Sequence, residues 1–570
     1  MFSDKENINI LTSLLIGHGV KHAVVCPGSR NAPIVHNLDE APEITCHSVT
    51  DERSAAFYAL GMAETTGSPV AVCVTSGTAL LNVLPAVAEA FYRHVALVVV
   101  SADRPAAWIG QQDGQTLPQP DALGRFVTKA VSLPEPMDED GRRYCNRLVN
   151  EALIAAKRHG GRPVHINVPI SEPLFAFTKV GLPRERVIRM VEATESADCH
   201  EAPGAALLSA QRPMIVVGQL AFDEAEKVSR AVRRLRTDVV VVGECLSLAG
   251  DEADGGLADD GRPMAPQHVD KVLAQLGEGV ADYLPDFILY VGGTLVSKRL
   301  KQFLRQAVQV RTWIVNRGGE VYDTFLNLEG VVDGRCGCVL ENIATDLPRR
   351  KACGDMAIDP AFVGRWAAAF RRAAQAFGRF VPRYSQLSAV KAFFKGLPAR
   401  RPYTIHAANS MSVRLVGLFA TGHVMCNRGV NGIEGSLSTA AGSSLVGLTE
   451  TFCVIGDLSF FYDQNALWPR LGRNFKVLLL NNHGGGIFAT LPGLPSSGAY
   501  EAHVAARHGL SAQGICAQCG VDYLAAHDAR ELEEAMAAFM RTGNERPVVL
   551  EVFTDSNTDA EVMKEYYQSK

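Results

Sequence analysis

Residues 454–463 read VIGDLSFFYD and residues 477–482 read VLLLNN. Each is an apolar run that ends abruptly in polar residues, Gly456-Asp457 in the first and Asn481-Asn482 in the second. Short continuous apolar runs bounded by turn residues suit strands buried on both faces, as in a parallel sheet covered by helices. Parallel strands bring their C-terminal ends to one edge, where open α/β sheets hold their ligands. Asp457 and Asn482, 25 positions apart, are therefore expected at a shared edge.

The same signature recurs along the chain. HAVVCPGS, VAVCVTSG, VALVVVSADRP and VHINVPI read as strands in the first third, with ERSAAFYALGMAETTG helical between them. Residues 184–203 are polar and proline-flanked and read as a linker. The pattern restarts with MIVVGQ, DVVVVGE, FILYVGG and WIVNRGG, separated by the helical DEAEKVSRAVRRLR and SKRLKQFLRQA. A second break is expected in the basic stretch near 346–358, before YTIHAAN, HVMCNRG, TFCVIGD, KVLLLNN and PVVLEVF. The expectation is an α/β protein of three domains, 1–183, 204–345 and 359–570, each with a mainly parallel sheet flanked by helices.

Composition narrows the function classes. The 570 residues are 47% hydrophobic and 21% charged with a net charge of −5, so neither a nucleic acid nor a membrane surface is an expected partner. No apolar run approaches the roughly 20 residues that span a bilayer. The start, MFSDKENINI, lacks an apolar leader core, and thirteen cysteines scattered without a framework read as reduced thiols, so a cytoplasmic location is expected. Cys336/Cys338 and Cys516/Cys519 have no second pair at zinc spacing; Cys516 is expected inside a helix spanning ARHGLSAQGICAQCG. No strand end carries a good GxGxxG leading into a helix, so a dinucleotide fingerprint is not supported.

Two readings of Asp457 and Asn482 are open from the residues alone. They are a helix cap and a turn, or they are oxygen ligands of a hard cation such as Mg²⁺, which takes few protein ligands when phosphate and water supply the rest. HGGGIF follows at once, and its bare backbone, beginning at Gly484, would let a diphosphate approach main-chain N–H groups. Glu52, in HSVTDERSAAFYALG, is likewise either a helix-start acid behind a Thr50 cap or a chemical carboxylate. Arg30, Arg104, Lys298, Arg299, Arg414 and Arg428 are spread over all three segments, and all but the middle pair Lys298-Arg299 sit in turns beside expected strand ends or at the start of the following helix, a distribution suited to binding carboxylates in pairs of charge-assisted hydrogen bonds.

GD followed about two dozen residues later by NN resembles the thiamin diphosphate motif of the 2-oxo-acid decarboxylase superfamily. The wider superfamily usually has GDG where this chain has Gly456-Asp457-Leu458-Ser459. GDLS is the form of one branch, the 2-succinyl-5-enolpyruvyl-6-hydroxy-3-cyclohexene-1-carboxylate synthases (the MenD family). PGSR, DERSAAFYALG, VTSGTA, SADRP, SKRL, NSMSVR, NRGVNGIEGSLSTAAG, GDLSFFYDQNAL and NNHGGGIF all resemble that branch. The resemblance implies a pyrimidine-binding first domain and a diphosphate-binding third domain. It implies Asp457, Asn482 and the Gly484 carbonyl as ligands of Mg²⁺ (or Mn²⁺), and Glu52 as the acid that activates the cofactor. Ser410, Ile433, Leu458, Ser459, Ile487 and Phe488 would complete the cofactor site.

It implies further that 2-oxoglutarate is decarboxylated and the succinyl carbanion equivalent added to isochorismate, in menaquinone biosynthesis. Ser410, Arg414 and Arg428 would hold the distal carboxylate of 2-oxoglutarate. Ser29, Arg30, Arg104, Gln115, Lys298 and Arg299 would hold isochorismate, with Phe488 and Leu491 walling the reaction space. Because Glu52 and Asp457 fall in different domains and must touch one cofactor, the resemblance implies a homodimer or homotetramer with the site between subunits. The alternatives are another thiamin diphosphate-dependent decarboxylase, an acetohydroxyacid synthase-like enzyme, or a catalytically silent homologue.

Overall fold

Seventeen strands in a computed structural model form three separate parallel sheets; the structure describes residues 1–190, 199–247, 268–398, 401–491 and 493–569. The first sheet contains β1 (His22–Val25), β2 (Thr45–Ser48), β3 (Val70–Val74), β4 (Leu97–Asp103), β5 (Lys129–Ser132) and β6 (Val164–Pro169). The central one contains β7 (Pro213–Val217), β8 (Val240–Gly243), β9 (Phe287–Val291), β10 (Arg311–Asn316) and β11 (Leu328–Asp333). The third contains β12 (Tyr403–Ala407), β13 (Val424–Met425), β14 (Glu450–Gly456), β15 (Phe475–Asn481), β16 (Asp522–Ala526) and β17 (Val548–Phe553). The fully buried β3, β4, β7, β9 and β15 are the unbroken apolar runs of the sequence.

The first sheet is ordered β2-β1-β3-β4-β6-β5 and the third β13-β12-β14-β15-β17-β16, the same arrangement used twice. β14 and β15 are neighbours in parallel register, with Gly456 opposite Leu480, so Asp457 and Asn482 leave the sheet at one edge as expected.

The two outer sheets share one core, in which Phe57, Tyr58 and Leu60 pack with Leu437, Ala440, Ala441 and Ile455. Its centre is a pair of helices, Glu52–Thr66 and Ser436–Val446, both almost wholly buried. A Cβ at Gly61 would lie 1.9 Å from the Thr439 carbonyl oxygen, and one at Gly442 would lie 2.2 Å from that of Tyr58. Backbone rests on backbone, and only glycine permits it. The first helix is capped by Asp51, whose carboxylate accepts the N–H groups of Arg53 (2.9 Å) and Ser54 (3.1 Å), not by Thr50; the longer acidic side chain one residue nearer the helix takes the role.

Residues 346–353, expected at a break, continue the helix Cys336–Cys353. The next helix, Pro360–Arg379, buries Phe362, Trp366 and Phe370 with Met214, Ile288 and Ile314 of the central sheet, so we place the boundary between the central and third units after it rather than at 359. Of the expected linker, residues 191–198 lie outside the described residues, and a helix already begins at Glu201. Around Cys516 the helix is only Gln513–Cys519, and burial pushes that thiol up to about 12. Among the described residues no helix is long and apolar enough to cross a membrane.

Candidate active site

Asp457 opens the short helix Asp457–Tyr462 and is only 3% exposed. Its Oδ1 accepts the N–H of Leu458 (2.6 Å); its Oδ2 accepts those of Asn482 (3.1 Å) and Gly484 (2.9 Å) and lies 3.4 Å from His508 Nε2. Burial raises its pKa, opposed by these donors. The carboxylate thus ties together the ends of β14 and β15. Asn481 and Asn482 have divided their work. The Asn481 amide donates inward to Glu551 (2.7 Å) and to the Leu510 carbonyl (3.0 Å), which is a structural duty. Asn482, 5% exposed, donates through Nδ2 to Asp559 Oδ2 (3.0 Å), and among the described residues its Oδ1 has no hydrogen-bond donor.

That orientation decides what the group can do. With its side-chain nitrogen held by Asp559 and its backbone N–H by Asp457, Asn482 keeps a carbonyl oxygen that takes no donor among the described residues. The Gly484 backbone stands at φ +155, and a Cβ there would meet the Ala505 carbonyl oxygen at 2.7 Å. A carboxylate, an amide oxygen and a bare glycine backbone suit a hard cation that shares its remaining positions with phosphate oxygens. Among the described residues no three His, Cys, Asp or Glu side chains cluster as a metal site, so a cation here would lean on oxygens from a ligand. The residues fit a metal-held diphosphate. Asp559 was not legible beforehand: it lies 77 positions beyond Asn482 and is held by Thr554 Oγ1 (2.8 Å) and the Gln386 N–H (2.8 Å).

A second group forms where the central and third sheets meet. Ser410 follows β12 in the left-handed region (φ 72), a strained conformation for a residue with a side chain, and its carbonyl accepts Arg414 Nη1 at 2.7 Å. Arg428, 8% exposed, donates Nη1 to Asn409 Oδ1 (3.1 Å) and Nη2 to the Leu295 carbonyl (3.4 Å), while its buried Nε has no partner among the described residues. Arg414 Nη2 stands 3.5 Å from the Val296 carbonyl, and burial, then the neighbouring Arg428, draws its pKa down.

Both arginines therefore lean on residues 295–296, directly ahead of Lys298 and Arg299. That loop is fixed by Glu244, which accepts the N–H groups of Val296 (2.6 Å) and Ser297 (2.7 Å) and whose carboxyl burial pushes up to about 6. Ser297 caps the following helix through the Leu300 N–H (2.9 Å). Lys298 is exposed, and Arg299 stacks 4.5 Å over the Tyr567 ring while donating to the Asp270 carbonyl (3.2 Å). Glu244 and Asp270 escaped the sequence reading because nothing local marks a clamp formed by a distant loop.

The first sheet assembles a third group. Arg104 Nε donates to the Gly114 carbonyl (3.2 Å), next to the exposed Gln115, whose φ is 57. Gln115 lies against the Ser76-Gly77 turn: a Cβ on Gly77 would be 3.2 Å from its Cα. Gln119 locks that turn, accepting the Gly77 N–H (2.7 Å) and donating to the Ala102 carbonyl (3.0 Å). Arg30 is buried and pairs with Glu172 (3.0 Å) and the Ile170 carbonyl (2.9 Å), beside exposed Ser29. Glu52 is half-buried; its Oε2 accepts from Asn82 Nδ2 (3.3 Å), and after burial its charge is the next cause that raises the Cys26 thiol pKa.

Among the described residues Glu52 has no hydrogen bond or ion pair to Asp457 or Asn482. Within the chain, its helix instead meets the third sheet through Arg53 to the Tyr462 carbonyl (2.8 Å) and Asp51 from Asn465 (2.7 Å). Leu458, Ile487 and Phe488 are half-buried and Ser459 is buried, whereas Ile433 and Leu491 are 43% and 41% exposed.

Residues 8–123 match the family of thiamine pyrophosphate enzymes, N-terminal TPP binding domain, and residues 408–552 match the C-terminal TPP binding domain. A 2-succinyl-5-enolpyruvyl-6-hydroxy-3-cyclohexene-1-carboxylate synthase of Bacteroides thetaiotaomicron is 44% identical over 578 residues, covering 100% of this chain and 99% of its own. The chain belongs to this synthase family. The synthase of Bacteroides fragilis is 43% identical over 581 residues (100% and 99% coverage), and that of Porphyromonas gingivalis 35% identical over 580 residues (99% and 97%). Membership makes the two outer sheets of this synthase-family chain thiamine pyrophosphate-binding domains, with the central sheet between their matched segments.

Proposed function

We propose that the chain joins 2-oxoglutarate to isochorismate with loss of CO₂, giving 2-succinyl-5-enolpyruvyl-6-hydroxy-3-cyclohexene-1-carboxylate in menaquinone biosynthesis. The observation that carries this reading is the meeting of Arg414 and Arg428 at the loop that precedes Lys298 and Arg299. A site for two dicarboxylates needs several fixed cations, whereas a site for a small monocarboxylate does not. The family relationship supports the same choice.

Thiamin diphosphate, when bound, supplies the electron sink for breaking and making the carbon–carbon bonds. Asp457, Asn482 and the Gly484 carbonyl would hold the Mg²⁺ or Mn²⁺ that anchors its diphosphate, and Asp559 fixes the Asn482 nitrogen so that the amide oxygen is left for the metal. Glu52 holds a proton at the pyrimidine, from the start of a helix with a largely apolar environment. Ser410, Arg414 and Arg428 grip the distal carboxylate of 2-oxoglutarate. Ser29, Arg30, Arg104, Gln115, Lys298 and Arg299 orient isochorismate and offset negative charge that develops during addition. Ile433, Ile487, Phe488 and Leu491 would keep water from the reacting atoms, and Leu458 and Ser459 would complete the cofactor site.

Glu52 and Asp457 serve one cofactor from different domains, so we place the site between subunits of a homodimer or homotetramer. The exposed Ile433 and Leu491 support a covered rather than solvated setting for that edge. The location we assign is the cytoplasm, in keeping with thirteen free cysteines. The test is the loss of isochorismate absorbance with purified protein. Loss that requires thiamin diphosphate, the divalent metal and 2-oxoglutarate together is the expected result. CO₂ release from pyruvate without isochorismate would overturn the substrate assignment.

A further inference from the structure

Arg428 reaches its position through a turn, residues 427–430, that is gripped from behind by the first sheet's own helix Leu84–Arg93. Glu89, on that helix, is 3% exposed, and its two oxygens accept the N–H groups of Gly429 (2.8 Å) and Val430 (2.7 Å). Arg93, one turn further along, donates to Asn427 Oδ1 (3.3 Å) and pairs with Glu64. Asn427 in turn donates to Thr439 Oγ1 (2.9 Å), and the Arg428 carbonyl accepts from Thr294 Oγ1 (3.0 Å). A Cβ at Gly429 would lie 2.8 Å from the Glu89 carbonyl oxygen, so the glycine is what lets the helix come this close.

The carboxylate occupies an unusual place for a mere interface seal. A buried acid that accepts two consecutive backbone N–H groups fixes the peptide plane leaving Arg428, and with it the direction of that side chain. The guanidinium has two anchored nitrogens and a buried Nε without a partner among the described residues, so small rotations of the turn would redirect its remaining donors. Nothing comparable links Glu89 to Lys298, Arg299 or Arg104 among the described residues.

We propose that Glu89 is a positioning residue that aims Arg428 at the distal carboxylate of the 2-oxo acid. The domain that supplies Glu52 thereby also sets the binding of the first substrate in the third domain. This rests on the reading of Arg428 given above.

The experiment is steady-state kinetics on the holoenzyme with both substrates varied, for Glu89→Gln, Gly429→Ala and Arg428→Lys. Glu89→Gln removes one of the two strong acceptors, and Gly429→Ala pushes the same turn from the other side. Each is expected to raise the KM for 2-oxoglutarate about tenfold, with kcat within about twofold and the KM for isochorismate unchanged. A purely structural role would move both KM values, kcat and the melting temperature together. If Arg428→Lys raises the 2-oxoglutarate KM and the other two variants do not, or shift both KM values alike, Glu89 has no positioning role. If Arg428→Lys leaves that KM unchanged, the subsite assignment itself falls, and the role of Glu89 with it. Should Glu89→Gln fail to fold, Gly429→Ala alone decides.

Discussion

In the first sheet β2 leads into the helix Glu52–Thr66, and in the third sheet its counterpart β13 leads into the helix Ser436–Val446. The two helices hold equivalent places and lie against each other, yet their starts differ in kind. One begins with the acid pair Asp51-Glu52; the other begins after Gly435, at φ 77, and its first turn is capped from 25 positions away by Asp463. The neighbouring strands differ as well. Beyond β3 the chain turns through Ser76-Gly77, whereas β14 runs out through Gly456-Asp457; β4 runs out through Asp103-Arg104, whereas β15 runs out through Asn481-Asn482. After the first strand of each sheet, Ser29-Arg30 has its analogue in Ser410 and Arg414. One backbone plan therefore carries two sets of end residues. The strand order supplies the edge, and on the roles proposed above a handful of residues beyond it decide whether that edge would offer a proton or a metal ligand.

If this division is right, the largest effect comes from removing the proton side. Glu52→Gln is expected to lower kcat by roughly 10³-fold while the affinity for thiamin diphosphate changes little; isochorismate consumption and cofactor titration measure the two separately. Removing the metal side should do the reverse. Asp457→Ala is expected to weaken metal-dependent cofactor binding by about 100-fold, read by titrating Mg²⁺ at fixed thiamin diphosphate. Asp559→Ala tests the same side one step back: Asn482 would lose its anchor, and the Mg²⁺ requirement should rise by about tenfold. Equal losses of cofactor affinity in Glu52→Gln and Asp457→Ala would erase the comparison.

The smallest effect concerns the joint between the two sheets. Asp463 is fully buried, accepts Ser438 N–H and Oγ–H (both 2.8 Å), and burial pushes its carboxyl up to about 7. A carboxyl whose folded pKa exceeds its unfolded value of about 3.9 binds more protons when folded between those limits. Its contribution is full below about pH 4 and is lost as the pH rises toward 7. Asp463→Asn should therefore show a smaller fall in melting temperature than the parent between pH 5 and 8.

Much of this molecule was readable in advance where the chain is apolar. Buried strands such as VAVCV and FKVLLL announce themselves because both faces are covered. The edge strands β2 (TCHS), β5 (KAVS) and β16 (DYLAA) did not, because half-exposed edges carry polar residues that look like loop. Asp457, Asn482 and the glycines after them were legible as a set because adjacent strands fix their meeting place. Asp559, Glu244 and Glu89 were not. Each acts on a residue of interest from 50 or more positions away, and an acid that clamps someone else's backbone looks in sequence like any other acid. Nothing local in Pro360–Arg379 tells which sheet its buried Phe362, Trp366 and Phe370 cover.

The glycine contact between the two central helices has a mechanical meaning. Where side chains separate two helices, rotamer changes can absorb a small displacement; where Gly61 meets the Thr439 carbonyl and Gly442 that of Tyr58, there is nothing between them to compress. Thr439 also takes the Asn427 amide, so a nudge to the Arg428 turn has a stiff path to the helix that begins at Glu52. The Arg428 turn and the helix that begins at Glu52 are thus braced against one frame, which holds each in place against large displacements of the other.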